Sequence, residues 1–159
     1  MENINRITSF NVDHDFIVPG MYVSRIDGDI TTYDLRTRKP NADDFMDSTT
    51  MHSVEHMLAT FARNSDLSDK VIYFGPMGCR TGFYLLMRDT TNDEAYQLVK
   101  DILKKTVDHE GEMFGAARKE CGNYKELSLE AAKAECERYL EALLEREKLG
   151  KADFIYDAE

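Results

Sequence analysis

The sequence predicts an α+β fold: a mostly antiparallel four-stranded sheet packed with three to four helices. Two observations carry this. Strand-like runs rich in β-branched and aromatic residues come in adjacent pairs, each joined by turn chemistry, so they read as hairpins. Helical stripes then follow in an order β-β-α-β-β-α-α, without the strict βαβ alternation of a parallel sheet. No internal repeat or linker interrupts the 159 residues, so residues 1–159 are expected to form a single domain with a real core.

The first twenty residues mix apolar positions (Ile7, Phe10, Val12, Phe16, Ile17, Val18) with Asp13-His14-Asp15. An extended arm with one short helical turn is expected there. Met21–Ile26 and Ile30–Leu35 form the first hairpin around Asp27-Gly28-Asp29, with Arg36 at the end of the second strand. A strand-end arginine is ordinarily solvated. An acidic loop over 41–47 leads to a helix from about Thr49 to Arg63, with Asp47, Ser48 and Thr49 as candidate caps. Val71–Phe74 and Phe83–Met87 make the second hairpin, joined by a loop with three glycines that carries Cys79. A helix over Asn92–Val107 shows a 3.6-residue stripe, and His109 behind it reads as structural. A loop over 110–127 carries Cys121. The last helix runs from about Ser128 to Leu149 before Gly150, with Cys136 in its apolar stripe, and the tail after it packs or frays. If both faces of the sheet are as apolar as they look, a partner subunit covers one.

Composition excludes some classes. A net charge of −10 argues against nucleic acid or an anionic membrane as partner, since both are met by basic patches. No apolar run approaches the ~20 residues of a spanning helix. The polar, acidic N-terminus is not a secretory signal. Three widely spaced cysteines make no disulfide framework and fit a reducing cytoplasm.

The chemistry concentrates in His52-Ser53-Val54-Glu55-His56. Positions i, i+3 and i+4 share a helix face, so both imidazoles and the carboxylate can converge. Met51, Val54, Met57, Leu58, Phe61 and Ala62 surround that helix widely, which predicts burial. Buried imidazoles and a carboxylate are costly without partners, so a metal or a hydrogen-bond network is expected. Three readings follow: an HxxEH (inverzincin-type) metallopeptidase with a third carboxylate ligand, a non-catalytic metal or histidine cluster, or a His2Cys site using Cys121 with Cys79 as a separate acid/base. The two loop cysteines fit the third best. Two imidazoles and a thiolate leave one tetrahedral position open, as catalytic sites do.

Four ordered motifs carry a resemblance over nearly the whole chain: Leu35-Arg36 with Pro40-Asn41; His52-x-x-Glu55-His56-x-Leu58-Ala59; Pro76-Met77-Gly78-Cys79-Arg80-Thr81-Gly82-Phe83-Tyr84; and Cys121-Gly122-Asn123-Tyr124 with Ser128-Leu129-Glu130. Together they resemble S-ribosylhomocysteine lyase, the LuxS family. The resemblance implies a LuxS/MPP-like metallohydrolase fold. It implies cleavage of the thioether of S-ribosyl-L-homocysteine to L-homocysteine and 4,5-dihydroxy-2,3-pentanedione, the autoinducer-2 precursor. It implies one divalent metal per subunit, Fe(II) with zinc or cobalt as substitutes, on His52, His56 and Cys121. Glu55 and Cys79 match the acid/base positions. Ser9, His14 and Arg36 match positions that contact substrate from the second subunit of a homodimer. The sequence departs from the family pattern at Tyr73 and Gly75, where members carry an Asp and a Ser, and in the 113–118 loop.

The implied reaction makes chemical demands these residues can meet. Two carbonyl migrations along the sugar are followed by loss of a thiol β to a ketone. A Lewis acid stabilises the enediolate of each migration, and protons move between neighbouring carbons by a poised acid/base. Arg80 beside Cys79 is expected to favour a thiolate there.

Overall fold

A computed structural model of the chain describes residues 4–7 and 10–157. Ser9, one of the expected substrate contacts, lies outside the described residues. The sheet has four strands: β1 (Gly20–Asp27), β2 (Ile30–Arg36), β3 (Val71–Pro76) and β4 (Gly82–Arg88). Their spatial order is β1-β2-β4-β3 and every neighbouring pair is antiparallel, so the expected α+β class holds. The first hairpin turns on Gly28, whose φ of +62° is a conformation that costs glycine little.

Register assigns the two faces. Met21 faces Leu35, Leu35 faces Phe83 and Tyr33 faces Leu85 across the ladders. These side chains are all nearly or wholly buried and line the side against which the helices pack. The alternate positions Tyr22, Asp34, Tyr84 and Leu86 take the other face, as period-2 alternation demands. Three helices close the core: α1 (Ser48–Arg63), α2 (Asn92–Asp108) and α3 (Leu129–Lys148). Val54, Met57 and Leu58 of α1 meet Val99, Ile102 and Leu103 of α2 and Ala132, Cys136 and Tyr139 of α3. Each such large side chain withdrawn from water contributes about 1.5–3 kcal/mol.

The helices begin where their caps dictate. The Asp47 carboxylate accepts from Thr50 N at 2.7 Å, so α1 starts one residue ahead of the expected Thr49. Thr91 and Glu94 form a reciprocal capping box on α2. Ser128 caps α3 through Ala131 N. After α3 the tail packs rather than frays, and lies on the outer face of the sheet, where Tyr156 stacks on Tyr22. The chain itself therefore covers part of the face that the sequence assigned to a partner. Among the described residues, no helix is long and apolar enough to cross a membrane.

Candidate active site

α1 is less buried than its apolar residues suggested. Ser53, Val54, Met57, Leu58 and Ala62 face the core, while His52, Glu55 and His56 form a half-buried stripe beside them. Phe61, counted as part of an all-round apolar surface, instead packs edge-on against His109 and Phe114 at the rim. The helix is amphipathic, and its polar stripe opens towards the 109–128 loop.

That loop brings Cys121 to the two histidines. Donor atoms of His52, His56 and Cys121 all lie within 4.8 Å of one another. Cys121 Sγ is 3.3 Å from His52 Nε2. A thiolate and an imidazole bound tetrahedrally to one ion at ordinary bond lengths stand about 3.5 Å apart, so the Cys121–His52 pair already has ligand spacing, and the three donors need only draw together to hold a divalent metal. The two imidazole rings sit edge to face, 4.6 Å between centroids. His56 Nδ1 lies 2.9 Å from the Phe114 carbonyl oxygen, which makes Nδ1 the donor and leaves Nε2 free as a ligand. The next residue, Gly115, has φ +66°, and a Cβ on it would stand 2.7 Å from His56 Nδ1. The loop can thus reach His56 only through a glycine. No Asp or Glu joins the three donors among the described residues, which disfavours the peptidase reading and its carboxylate ligand. The Glu55 carboxylate, on the same stripe, has no hydrogen bond or ion pair among the described residues.

A second group forms around Cys79, in the loop that joins β3 to β4. The loop carrying Cys79 is fastened to the segment after β2. Thr37 N and Arg38 N both donate to Thr81 O at 3.0 Å, and Met46 N donates to Arg80 O at 2.8 Å. Cys79 is exposed, its sulfur 3.0 Å from the Thr81 hydroxyl. A cleft of about 230 Å³ opens beside it, lined by His14, Asn41, Asp43, Phe45, Cys79 and Thr81 among others. None of His52, Glu55, His56 or Cys121 lines this cleft. A larger cleft of about 370 Å³ between the α1–β3 loop and α2 is bordered by Asp66, Glu94, Asp101 and Lys105, away from both groups. His14 sits in a single helical turn over His14–Phe16, half-buried, with Nδ1 2.9 Å from Val12 O.

Arg36 is not the solvated strand-end residue that its position suggested. It is 3% exposed, with Nε and one terminal nitrogen on Asp34 at 3.0 and 2.6 Å and the other donating to Thr81 Oγ1 at 2.9 Å. Burial opposes its charge, but the hydrogen bonds and charge of Asp34 outweigh burial and hold its pKa above the ordinary arginine value. The cation linked to Cys79 is therefore Arg36, through Thr81. Arg80, which the sequence offered for that task, stacks over the Phe45 ring at 4.5 Å.

Sequence reasoning passed over Thr81, Asp34, Gly115 and Ser53. The first two had a visible signal, since Thr81 is two residues from Cys79 and Asp34 two from Arg36 on one strand face. The departures at Tyr73 and Gly75 have a common cause. Tyr73 folds over Gly75, where any side chain would run into its phenol, so the tyrosine and the glycine go together.

The family model described as S-ribosylhomocysteinase (LuxS) matches residues 7–149. An S-ribosylhomocysteine lyase of Clostridium beijerinckii is 44% identical over 132 residues, covering 79% of this chain and 83% of the relative. One from Finegoldia magna is 45% identical over 131 residues, covering 79% and 83%. One from Borreliella burgdorferi is 42% identical over 133 residues, covering 80% and 85%. With a two-histidine, one-cysteine donor set in place on α1 and the loop between α2 and α3, the chain belongs to the S-ribosylhomocysteinase (LuxS) family.

Proposed function

We propose that the chain is a single lyase domain that cleaves the thioether of S-ribosyl-L-homocysteine, releasing L-homocysteine and 4,5-dihydroxy-2,3-pentanedione. The observation that carries this reading is the cluster of His52, His56 and Cys121 beside an unengaged Glu55, in a chain of this family. His52, His56 and Cys121 hold one divalent ion per subunit, Fe(II) in the cell, with zinc or cobalt able to substitute. When bound, the ion supplies Lewis-acid polarisation of the sugar oxygens.

The chain's own groups move the protons. Cys79 Sγ takes a proton from the carbon beside the sugar carbonyl and returns it to the neighbouring carbon, which shifts the carbonyl along the chain. A second such transfer puts the ketone β to the sulfur. Removal of the proton between them then lets the electron pair expel the homocysteine thiolate. Glu55 carries protons between the sugar oxygens and hands one to the departing sulfur. Ser9, His14 and Arg36 belong to the substrate-facing set, with Arg36 acting through Thr81 beside Cys79.

A homodimer completes this site. The cleft at Cys79 and the metal donors are separate groups in one chain. Exposed Phe45 offers apolar surface on the wall of the His14–Cys79 cleft. In this reading one subunit's donors face the other's Cys79. The acidic chain works in the cytoplasm, on neither nucleic acid nor membrane. Anaerobically purified protein, supplied with S-ribosylhomocysteine, should release thiol detectable with a thiol dye. Cys79→Ala should keep metal and lose turnover by at least about a hundred-fold, while Cys121→Ala should lose metal. Peptide hydrolysis without thiol release would sink the lyase reading.

A further inference from the structure

The last segment of the chain, residues 150–157, lies beyond the 7–149 stretch that matches the family. It is tied down more firmly than a terminal tail needs to be. Gly150 turns the chain with φ +70°, and Lys151 N donates to Arg146 O at 2.9 Å. Val23 N of β1 donates to Phe154 O at 2.8 Å, and Phe154 is buried against Tyr96. Tyr156 then stacks on Tyr22, 4.7 Å between centroids, and Asp157 receives Arg146, whose guanidinium lies over the Tyr22 ring. The Tyr156 hydroxyl donates to Asp34 Oδ2 at 2.8 Å.

That last contact reaches the Cys79 site. Asp34 Oδ2 also accepts from Arg36 at 2.6 Å; Arg36 donates to Thr81 at 2.9 Å; the Thr81 hydroxyl is 3.0 Å from Cys79 Sγ. Asp34 is 1% exposed and Arg36 3%, so no water competes along most of the chain. A carboxylate that shares its charge with a phenol neutralises its arginine less completely. More of the Arg36 charge then reaches Thr81 and the sulfur beyond it.

We propose that the C-terminal segment is a latch and Tyr156 a positioning residue for Cys79, acting through Asp34, Arg36 and Thr81. The inference rests on the role assigned to Cys79 in the proposed reaction. Tyr156→Phe keeps the ring on Tyr22 and removes only the donor to Asp34. In the metal-loaded protein it should leave metal content unchanged and lower the melting temperature by no more than the few degrees of one lost hydrogen bond. It should lower kcat about five-fold with KM unchanged, the scale of one hydrogen bond transmitted to the reacting group. Alkylation of Cys79 by iodoacetamide, followed by mass spectrometry of its own peptide, should slow by a similar factor. In a Thr81→Val background, Tyr156→Phe should change neither rate further, because the path is already cut. Wild-type kcat and alkylation rate in Tyr156→Phe would overturn the proposal. So would an equal effect with and without Thr81, or a loss of kcat with an unchanged alkylation rate, since that marks Tyr156 as packing alone. The alkylation readout does not require Cys79 to be catalytic. Full turnover by Cys79→Ala would remove the reading of the reaction, while the alkylation series still judges the latch.

Discussion

Gly115 shows how far one residue can determine the metal group. The 109–128 loop must approach His56 closely enough for the Phe114 carbonyl to accept a hydrogen bond from Nδ1–H. At a φ of +66° with His56 Nδ1 2.7 Å from the place of a Cβ, only glycine allows it. Gly115→Ala both strains the backbone and pushes the loop off the ring. The His56 Nδ1–H then loses its carbonyl and the ring its fixed orientation. Metal affinity should fall roughly ten-fold, the usual scale for losing such a support to a ligand. Competition against a chromophoric chelator measures it; unchanged affinity would show that α1 alone orients the ring. At this scale the sequence was legible for the donors and silent about their supports. His52, His56 and Cys121 announce themselves by type and spacing. Phe114 and Gly115 act through a carbonyl and the absence of a Cβ, which no residue pattern displays.

At the level of elements, the metal group spans two pieces of chain, and one buried hydroxyl joins them. Ser53, wholly buried on α1, accepts a hydrogen bond from Ser128 N at 2.8 Å, at the cap of α3. It pins the end of the loop that carries Cys121 to the helix that carries both histidines. Ser53→Ala leaves the Ser128 N–H without its partner and should cost about 1–3 kcal/mol, read as a lower midpoint of urea unfolding. A midpoint equal to wild type would mean that the contact adds nothing to the fold. The elements themselves were legible because hairpin turns, caps and helical stripes are local. The amphipathic character of α1 was not. Its apolar residues are spread around the helix in sequence, and only packing decides that Phe61 meets the loop at the rim. Arg36 failed for the same reason: a strand end is exposed unless something crosses it, and here the β3–β4 loop does.

Over the whole molecule, pH and subunit assembly test different parts of the account. Burial pushes the Cys136 thiol up to about 12 from its ordinary 9.0, with the Glu135 charge adding to it. Burial likewise pushes Tyr22 up to about 12 from 10.0. Both groups are held neutral in the folded chain. Their stabilisation is complete below the unfolded values and lost as pH rises through the folded ones. Stability should therefore decline from about pH 9 towards pH 12, by up to about 1.4 kcal/mol per unit for Cys136. Cys136→Ala, which removes the first of these groups, should flatten the limb that begins near pH 9 in urea titrations; an unchanged slope would mean another group governs it.

The proposed dimer makes a sharper demand. If each active site takes Cys79 from one subunit and its metal donors from the other, two inactive variants can repair one another. A mixed dimer of Cys79→Ala and Cys121→Ala has one site with neither group and one with both. Random exchange of equal amounts puts half the chains into mixed dimers, with one working site in two. Activity should therefore rise to about a quarter of wild type after denaturing and refolding the variants together, and stay at background when each is refolded alone. If Cys79 served the donors of its own chain, every site in the mixture would lack one group, and no activity would return.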